Sequence, residues 1–240
     1  MSDGGWQTAP SSSQKPGNSD GGHSFNLPDG TLYDKVAPYA DSHSGMLADW
    51  AFKSWSTNLQ PSLYDRNEKS KQISLTSEYR KAPETEIFGT DEKGKTAELS
   101  KYWNPRYNPA TWPHRGTYTI GFSKAATTWS GESSIKKPAD SDIVPFSYDQ
   151  GKNGSLPDFI TGNFKWPELK TSTESSKNPL DLWHSALNGR GRFYAVEKPE
   201  DLEKAFREII GVINTQAEPD RSSAAVSGMS YQDKPVGLFI

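Results

Sequence analysis

The chain has 240 residues, enough for one large domain or one and a half ordinary ones. Only 32% of them are hydrophobic and mean hydropathy is −0.81, so the core must lean on eight Trp, ten Tyr and ten Phe. A net charge of −3 gives no electrostatic case for nucleic acid, no stretch approaches the ~20 apolar residues of a membrane span, and the absence of Cys excludes disulfides, thiol catalysis and cysteine zinc sites.

Met1-Ser2-Asp3-Gly4-Gly5 reads as the end of a buried parallel strand turning into its loop. At that edge of an α/β sheet, side chains converge on ligands. No strand, helix or export signal precedes it in the chain as written, so the expectation is a domain entered midway. Residues 7–32, rich in Ser, Gly, Pro and Asn, read as an irregular excursion. The first helical signal runs from Met46 through Trp55 and ends near Leu59, before Pro61. Leu47, Trp50, Ala51 and Ser54 share one face, and Ala48, Phe52, Trp55 and Leu59 another, which predicts a helix packed between layers.

Residues 64–100 are polar and charged without a sustained period and read as a long surface insertion. Within them Asp91-Glu92-Lys93-Gly94-Lys95 is a hairpin-like turn, not a calcium loop, because alternating acidic ligands and a terminal Glu are missing. Aromatics and prolines over Tyr102 to Pro113 predict a loop packed down on the core. Thr117 to Ser123 is the best strand in the chain, and residues 124–176 form a second polar insertion. Asn178 then reads as an N-cap with Pro179 at the first helical position, followed by Leu180, Trp183 and Leu187 at helical spacing and a stop at Gly189 and Gly191. Arg192 to Val196 is a short strand. Pro199-Glu200-Asp201 opens a last helix whose apolar face is Leu202, Phe206, Ile209, Ile210 and Ile213. Strand, helix, strand, helix argues for a parallel sheet flanked by helices.

Several of these segments carry a resemblance. The Ser-Asp-Gly turn, the Thr117 to Phe122 strand and the helix, strand and helix after it resemble the second half of a von Willebrand factor A domain. More specifically, Met46 to Ala51, Asn108 to Trp112, Thr117 to Phe122, Asp181 to Gly191 and the tail Arg221 to Ser227 resemble the type IV pilus tip-associated proteins of the PilY family, called PilC in some bacteria. The stretch Trp183-His184-Ser185-Ala186-Leu187-Asn188-Gly189-Arg190-Gly191 is its most specific part. The resemblance implies that the Asp of the Asp-Gly turn is one ligand of a metal-ion-dependent adhesion site. Only Asp3 has a counterpart here. The Asp-x-Ser-x-Ser loop of such sites is not matched by Asp41-Ser42-His43-Ser44-Gly45 or by Asp220-Arg221-Ser222-Ser223-Ala224.

Asp3 therefore has two readings. As a ligand it would hold Mg²⁺ or Ca²⁺ in a full-length parent, but one carboxylate and the Ser2 hydroxyl cannot fill a hard cation's shell, so no cofactor is expected for the isolated chain. As a turn residue it caps its own loop backbone. The four histidines, His23, His43, His114 and His184, show no His-x-x-x-His or Glu-x-x-His spacing, and His184 reads as a structural hydrogen-bonding residue. Asn188-Gly189-Arg190-Gly191-Arg192 follows a helix rather than preceding one, which argues for a C-terminal turn with two solvated arginines over an anion site.

The expected fold is α/β, an incomplete von Willebrand factor A-like parallel sheet over residues 1–215 with insertions at about 64–116 and 124–176. Its strands would lie at Met1 to Asp3, Thr117 to Ser123 and Arg192 to Val196, and 216–240 would lead toward a β-propeller. No acid/base pair and no Gly-x-Ser-x-Gly is found, so no enzyme is expected. The resemblance implies a pilus assembly or adhesion module at the cell surface, pilus tip or outer membrane. Its partners would be pilin or minor pilin subunits or a host-surface receptor. The alternatives are a non-functional remnant of a split gene and, last, a periplasmic hydrolase.

Overall fold

A computed structural model of the chain describes residues 16–128, 135, 154–169 and 177–217. The expected first strand at Met1 to Asp3, with the Asp3 site, lies outside the described residues, as do the turn at Asp149 to Gly151 and the tail after 217. In chain order the described strands and α-helices are β1 (Phe25–Asn26), β2 (Leu32–Tyr33), α1 (Leu47–Ser56), α2 (Ser77–Lys81), β3 (Thr85–Thr90), β4 (Thr96–Ser100), β5 (Thr119–Phe122), α3 (Lys124–Thr128), α4 (Leu156–Thr161), α5 (Asn178–Asn188), β6 (Phe193–Val196) and α6 (Pro199–Ala217). They form three two-stranded sheets. β1–β2 and β3–β4 are antiparallel, and β5–β6 is parallel, with Thr119 opposite Phe193 and Phe122 opposite Val196.

The parallel pair is the expected α/β feature, and helices cover both of its faces. Alternation along the strands sends Ile120, Tyr194 and Val196 toward Leu202, Ala205 and Ile209 of α6. Phe193 and Ala195 go the other way, into the main core beneath α5. Gly121 lies where α3 and α5 press closest: a Cβ there would stand 2.7 Å from that of Ala126 and 3.4 Å from Leu182 Cδ1. The Thr119 hydroxyl donates to the Leu182 carbonyl at 2.7 Å and fastens strand to helix.

α5 begins at Asn178 itself, so Asn178 is a helical residue rather than the cap, and Pro179 occupies the second position. Its missing N–H still costs nothing in the first turn. Every residue of α5 is buried, because α1 packs on one side of it and the β5–β6 pair on the other. α1 departs from expectation. It buries one stripe, Ala48, Ala51, Phe52 and Trp55, while Leu47 and Trp50 are 39% and 40% exposed. The stripe follows the i, i+3, i+4, i+7 rule against a single neighbouring layer.

Both stretches read as surface insertions contribute to the core. Residues 85–100 form the β3–β4 hairpin, turned through Asp91 to Lys95 as expected, and bury Phe88, Ala97 and Leu99. In the second stretch, α4 buries Leu156, Phe159 and Ile160, and the Phe159 ring stacks on Trp166 at 3.9 Å. Asp158 ties α4 to the hairpin by accepting the Glu92 N–H at 3.0 Å. The packed loop between β4 and β5 buries Trp112 completely, its indole N–H donating to the Trp55 carbonyl at 2.8 Å. No helix among the described residues is long and apolar enough to cross a membrane.

Candidate functional site

Four aspartates and a histidine meet inside this core. Asp181, His184 and Asn188 recur at three- and four-residue spacing, so one face of α5 carries all three. That face looks onto the loops preceding α1. The Asp181 carboxylate accepts the backbone N–H groups of Leu47 at 3.0 Å and Ala48 at 3.2 Å, which caps the first turn of α1 from a distant helix. Asp49 accepts from Met46 at 2.9 Å and from Ser19 at 2.6 Å, drawing the 16–24 loop against the same helix start.

Asp20 follows from that anchoring. Its Oδ2 accepts from the Asn188 amide at 2.6 Å, and its Oδ1 from the backbone of Asp41 at 3.3 Å. The Tyr33 hydroxyl donates to the Asp20 carbonyl. Asp41 is set by its own turn, its Oδ1 accepting from the His43 backbone at 2.7 Å. His184 completes the group. Its Nε2 stands 2.7 Å from the Tyr39 carbonyl, which can only accept, so Nε2 carries the proton and Nδ1 the lone pair. Nδ1 faces Asp41 Oδ2 at 3.5 Å, and Nε2 lies 3.8 Å from Asp20 Oδ2. Trp166 lies flat over the imidazole, with ring centroids 4.1 Å apart and planes 9° from parallel.

Burial dominates the electrostatics. It pushes the Asp20 carboxyl up to about 8, helped by the charges of Asp41 and Asp49. It likewise raises Asp181 to about 7, Asp41 to about 6, and Asp49 above its ordinary value. For His184 burial disfavours the cation and lowers the pKa to about 3, so the ring is neutral. Among the described residues, none of the four aspartates pairs with Lys or Arg. One ligand atom each from Asp20, Asp41 and His184 lie within 4.8 Å of one another.

A second buried charge adjoins through Tyr39. Arg190, expected in solvent, is 5% exposed, with its guanidinium carbon 4.3 Å from the Tyr39 ring, 4.5 Å from Trp55 and 5.6 Å from Trp103. Its Nη1 donates to the Tyr39 hydroxyl at 2.5 Å, while Nε and Nη2 have no hydrogen-bond partner. The flanking glycines make this burial feasible: a Cβ at Gly191 would stand 2.0 Å from the Thr117 carbonyl oxygen. Arg192 does reach outward, to Glu208 at 3.1 Å.

His184 is thus the hydrogen-bonding residue that its sequence context predicts. His43 donates to the Trp166 carbonyl at 3.1 Å, and His114 bonds Asn108 and the Trp112 carbonyl, each at 2.7 Å. The Asp20–Asp41–His184 group was not foreseen. Only His184 has an acidic neighbour at helical spacing, Asp181, and that carboxylate caps α1 rather than joining the group.

No family model matches the sequence, and no solved structure gives a significant match. Among curated proteins, the chain is 33% identical over 237 residues to the type IV pilus biogenesis factor PilY1 of Pseudomonas aeruginosa PAO1. It is 32% identical over 237 residues to that of strain PAK and 31% over 229 residues to that of strain UCBPP-PA14. These alignments take in 97%, 97% and 92% of the chain but only 17%, 17% and 16% of the relatives, so the chain spans about one sixth of their length. Along nearly all of its own length, the chain belongs with the PilY1-type type IV pilus proteins.

Proposed function

We propose that the chain is a non-catalytic module of type IV pilus assembly and adhesion that binds pilin or minor pilin subunits and, at the cell surface, a host receptor. The observation that carries this reading is the 33% identity over 97% of the chain to a protein named as a biogenesis factor, not as an enzyme. The parallel β5–β6 pair between α5 and α6 supports a von Willebrand factor A-like arrangement. In a full-length parent, Asp3 would add one ligand to a Mg²⁺ or Ca²⁺ site. That assignment rests on the family resemblance alone.

Two measurements test the reading. The purified chain, immobilised, is exposed to soluble pilin and minor pilins, and saturable binding to at least one is expected. In Pseudomonas aeruginosa, deleting the matching segment of PilY1 should reduce surface pili, and inserting this chain in its place should restore them at least in part. Absence of binding together with normal piliation after the deletion overturns the proposal.

A further inference from the structure

We propose that Asp20, Asp41 and His184 form a buried site for one divalent transition-metal ion of the zinc or manganese class. Metal–ligand bonds of about 2.0–2.2 Å put tetrahedral ligands roughly 3.4 Å apart and opposed ones about 4.2 Å apart. The observed ceiling of 4.8 Å is closed by side-chain shifts of under about 1 Å. The Asp41 Oδ2 to His184 Nδ1 distance of 3.5 Å already suits an ion between them.

The surroundings are those of a ligating histidine. Such a ring donates its other N–H to a carboxylate or carbonyl, which fixes the tautomer. His184 does this to Tyr39 and leaves Nδ1 free to bind. Asn188 is an independent pointer. It is fully buried, its Oδ1 has no hydrogen-bond partner, and its amide nitrogen touches Asp20 Oδ2 at 2.6 Å. Rotating that amide gives up its 3.3 Å bond to the Ala48 carbonyl and brings its oxygen, a fourth ligand atom, to the nitrogen's place. Buried carboxylates are paired, neutralised or bound to metal, and no Lys or Arg pairs with these among the described residues. Access exists as well, since Asp41, Gly21, Ala40 and Trp166 line a cavity of about 360 Å³ whose wall also carries Lys35 and Lys165.

The donor set selects the ion. Ca²⁺ wants six to eight oxygens and Mg²⁺ a nearly octahedral oxygen shell, whereas imidazole with two carboxylates suits zinc or manganese. The site uses none of the residues of the Asp3 turn and does not depend on the pilus reading.

The test uses the untagged 240-residue chain, stripped with chelator and titrated calorimetrically with Zn²⁺ and with Mn²⁺ near neutral pH. One ion per chain is expected for at least one metal. Asp41→Asn and His184→Gln should each weaken binding by ~10-fold or more, and Asp34→Asn, on an exposed loop, should leave it unchanged. X-ray absorption on the loaded wild-type chain needs no variant. One imidazole nitrogen with oxygens near ~2.0–2.2 Å supports the site, and an oxygen-only shell refutes it. Failure of the folded wild-type chain to bind either ion stoichiometrically, or binding that both variants retain, also overturns the proposal.

Discussion

Arg190 is the residue whose environment departs furthest from what its type suggests. A guanidinium is planar and weakly hydrated, so it tolerates three aromatic faces, one phenol oxygen and one backbone carbonyl, that of Asn104, in place of a carboxylate. An ammonium is compact and needs three hydrogen bonds. Arg190→Lys should therefore cost about 2 kcal/mol or more despite keeping the charge, read as a lower urea midpoint at unchanged slope. Asp181 supports a prediction of a different kind. Its unfolded value is near 3.8 and its folded value about 7, so between those limits the folded state holds the extra proton. The contribution of this carboxyl to stability is whole below pH ~4 and is lost as pH rises toward ~7. Asp41 and Asp49 are the charges facing it and push in the same direction. In Asp181→Asn that loss cannot occur. The stability difference, wild type minus variant, should fall from about pH 4 and level off near pH 7 in parallel denaturant titrations, and a flat difference would show the carboxylate to be ionised throughout.

At the scale of elements, the signals that survived folding were local ones. α5, α6, β5 and β6 follow from apolar spacing, Pro and Gly punctuation and a charge-free β-branched run, all within one window of sequence. The β3–β4 hairpin shows what such a window misses. Its turn was legible from Asp91 to Lys95, but Glu86, Glu98 and the flanking threonines dilute the alternation until it resembles a solvated loop. The inward residues become evident only against α4, which packs on the hairpin. Ile87 and Phe88 are neighbours of similar hydrophobicity, one 46% exposed and the other buried. Phe88→Ala should cost about 3–5 kcal/mol through the cavity it leaves, and Ile87→Ser under about 1 kcal/mol. Equal costs would mean that the hairpin does not dock. The Asp20–Asp41–His184 group was still less legible. Its members come from two Gly- and Ser-rich loops and a helix, 21 and 143 positions apart, and only the docking of α1 on α5 joins them.

For the molecule as a whole, α6 sets a limit on how complete this core is. The sequence predicts one apolar face of Leu202, Phe206, Ile209, Ile210 and Ile213, but the structure divides it. Leu202 and Ile209, with Ala205, cover the parallel pair, whereas Phe206, Ile210 and Ile213 remain 45%, 56% and 45% exposed. The exposed three recur at i, i+4 and i+7, so they make a continuous stripe rather than scattered apolar residues. Water contact along such a stripe is relieved by burial against any apolar surface, and in a purified solution the surface at hand is another copy of the chain. Sedimentation equilibrium should accordingly show mass rising with concentration, and the double substitution Phe206→Ser, Ile210→Ser should return the chain to monomer. Because neither side chain supports the intramolecular core, the same variant should lose less than about 1 kcal/mol of stability, while Ile209→Ala, on the covered stripe, should lose about 1–2 kcal/mol. A wild-type chain that stays monomeric across the whole concentration range would mean that the stripe is tolerated in water, and the division of α6 would then carry no consequence for association.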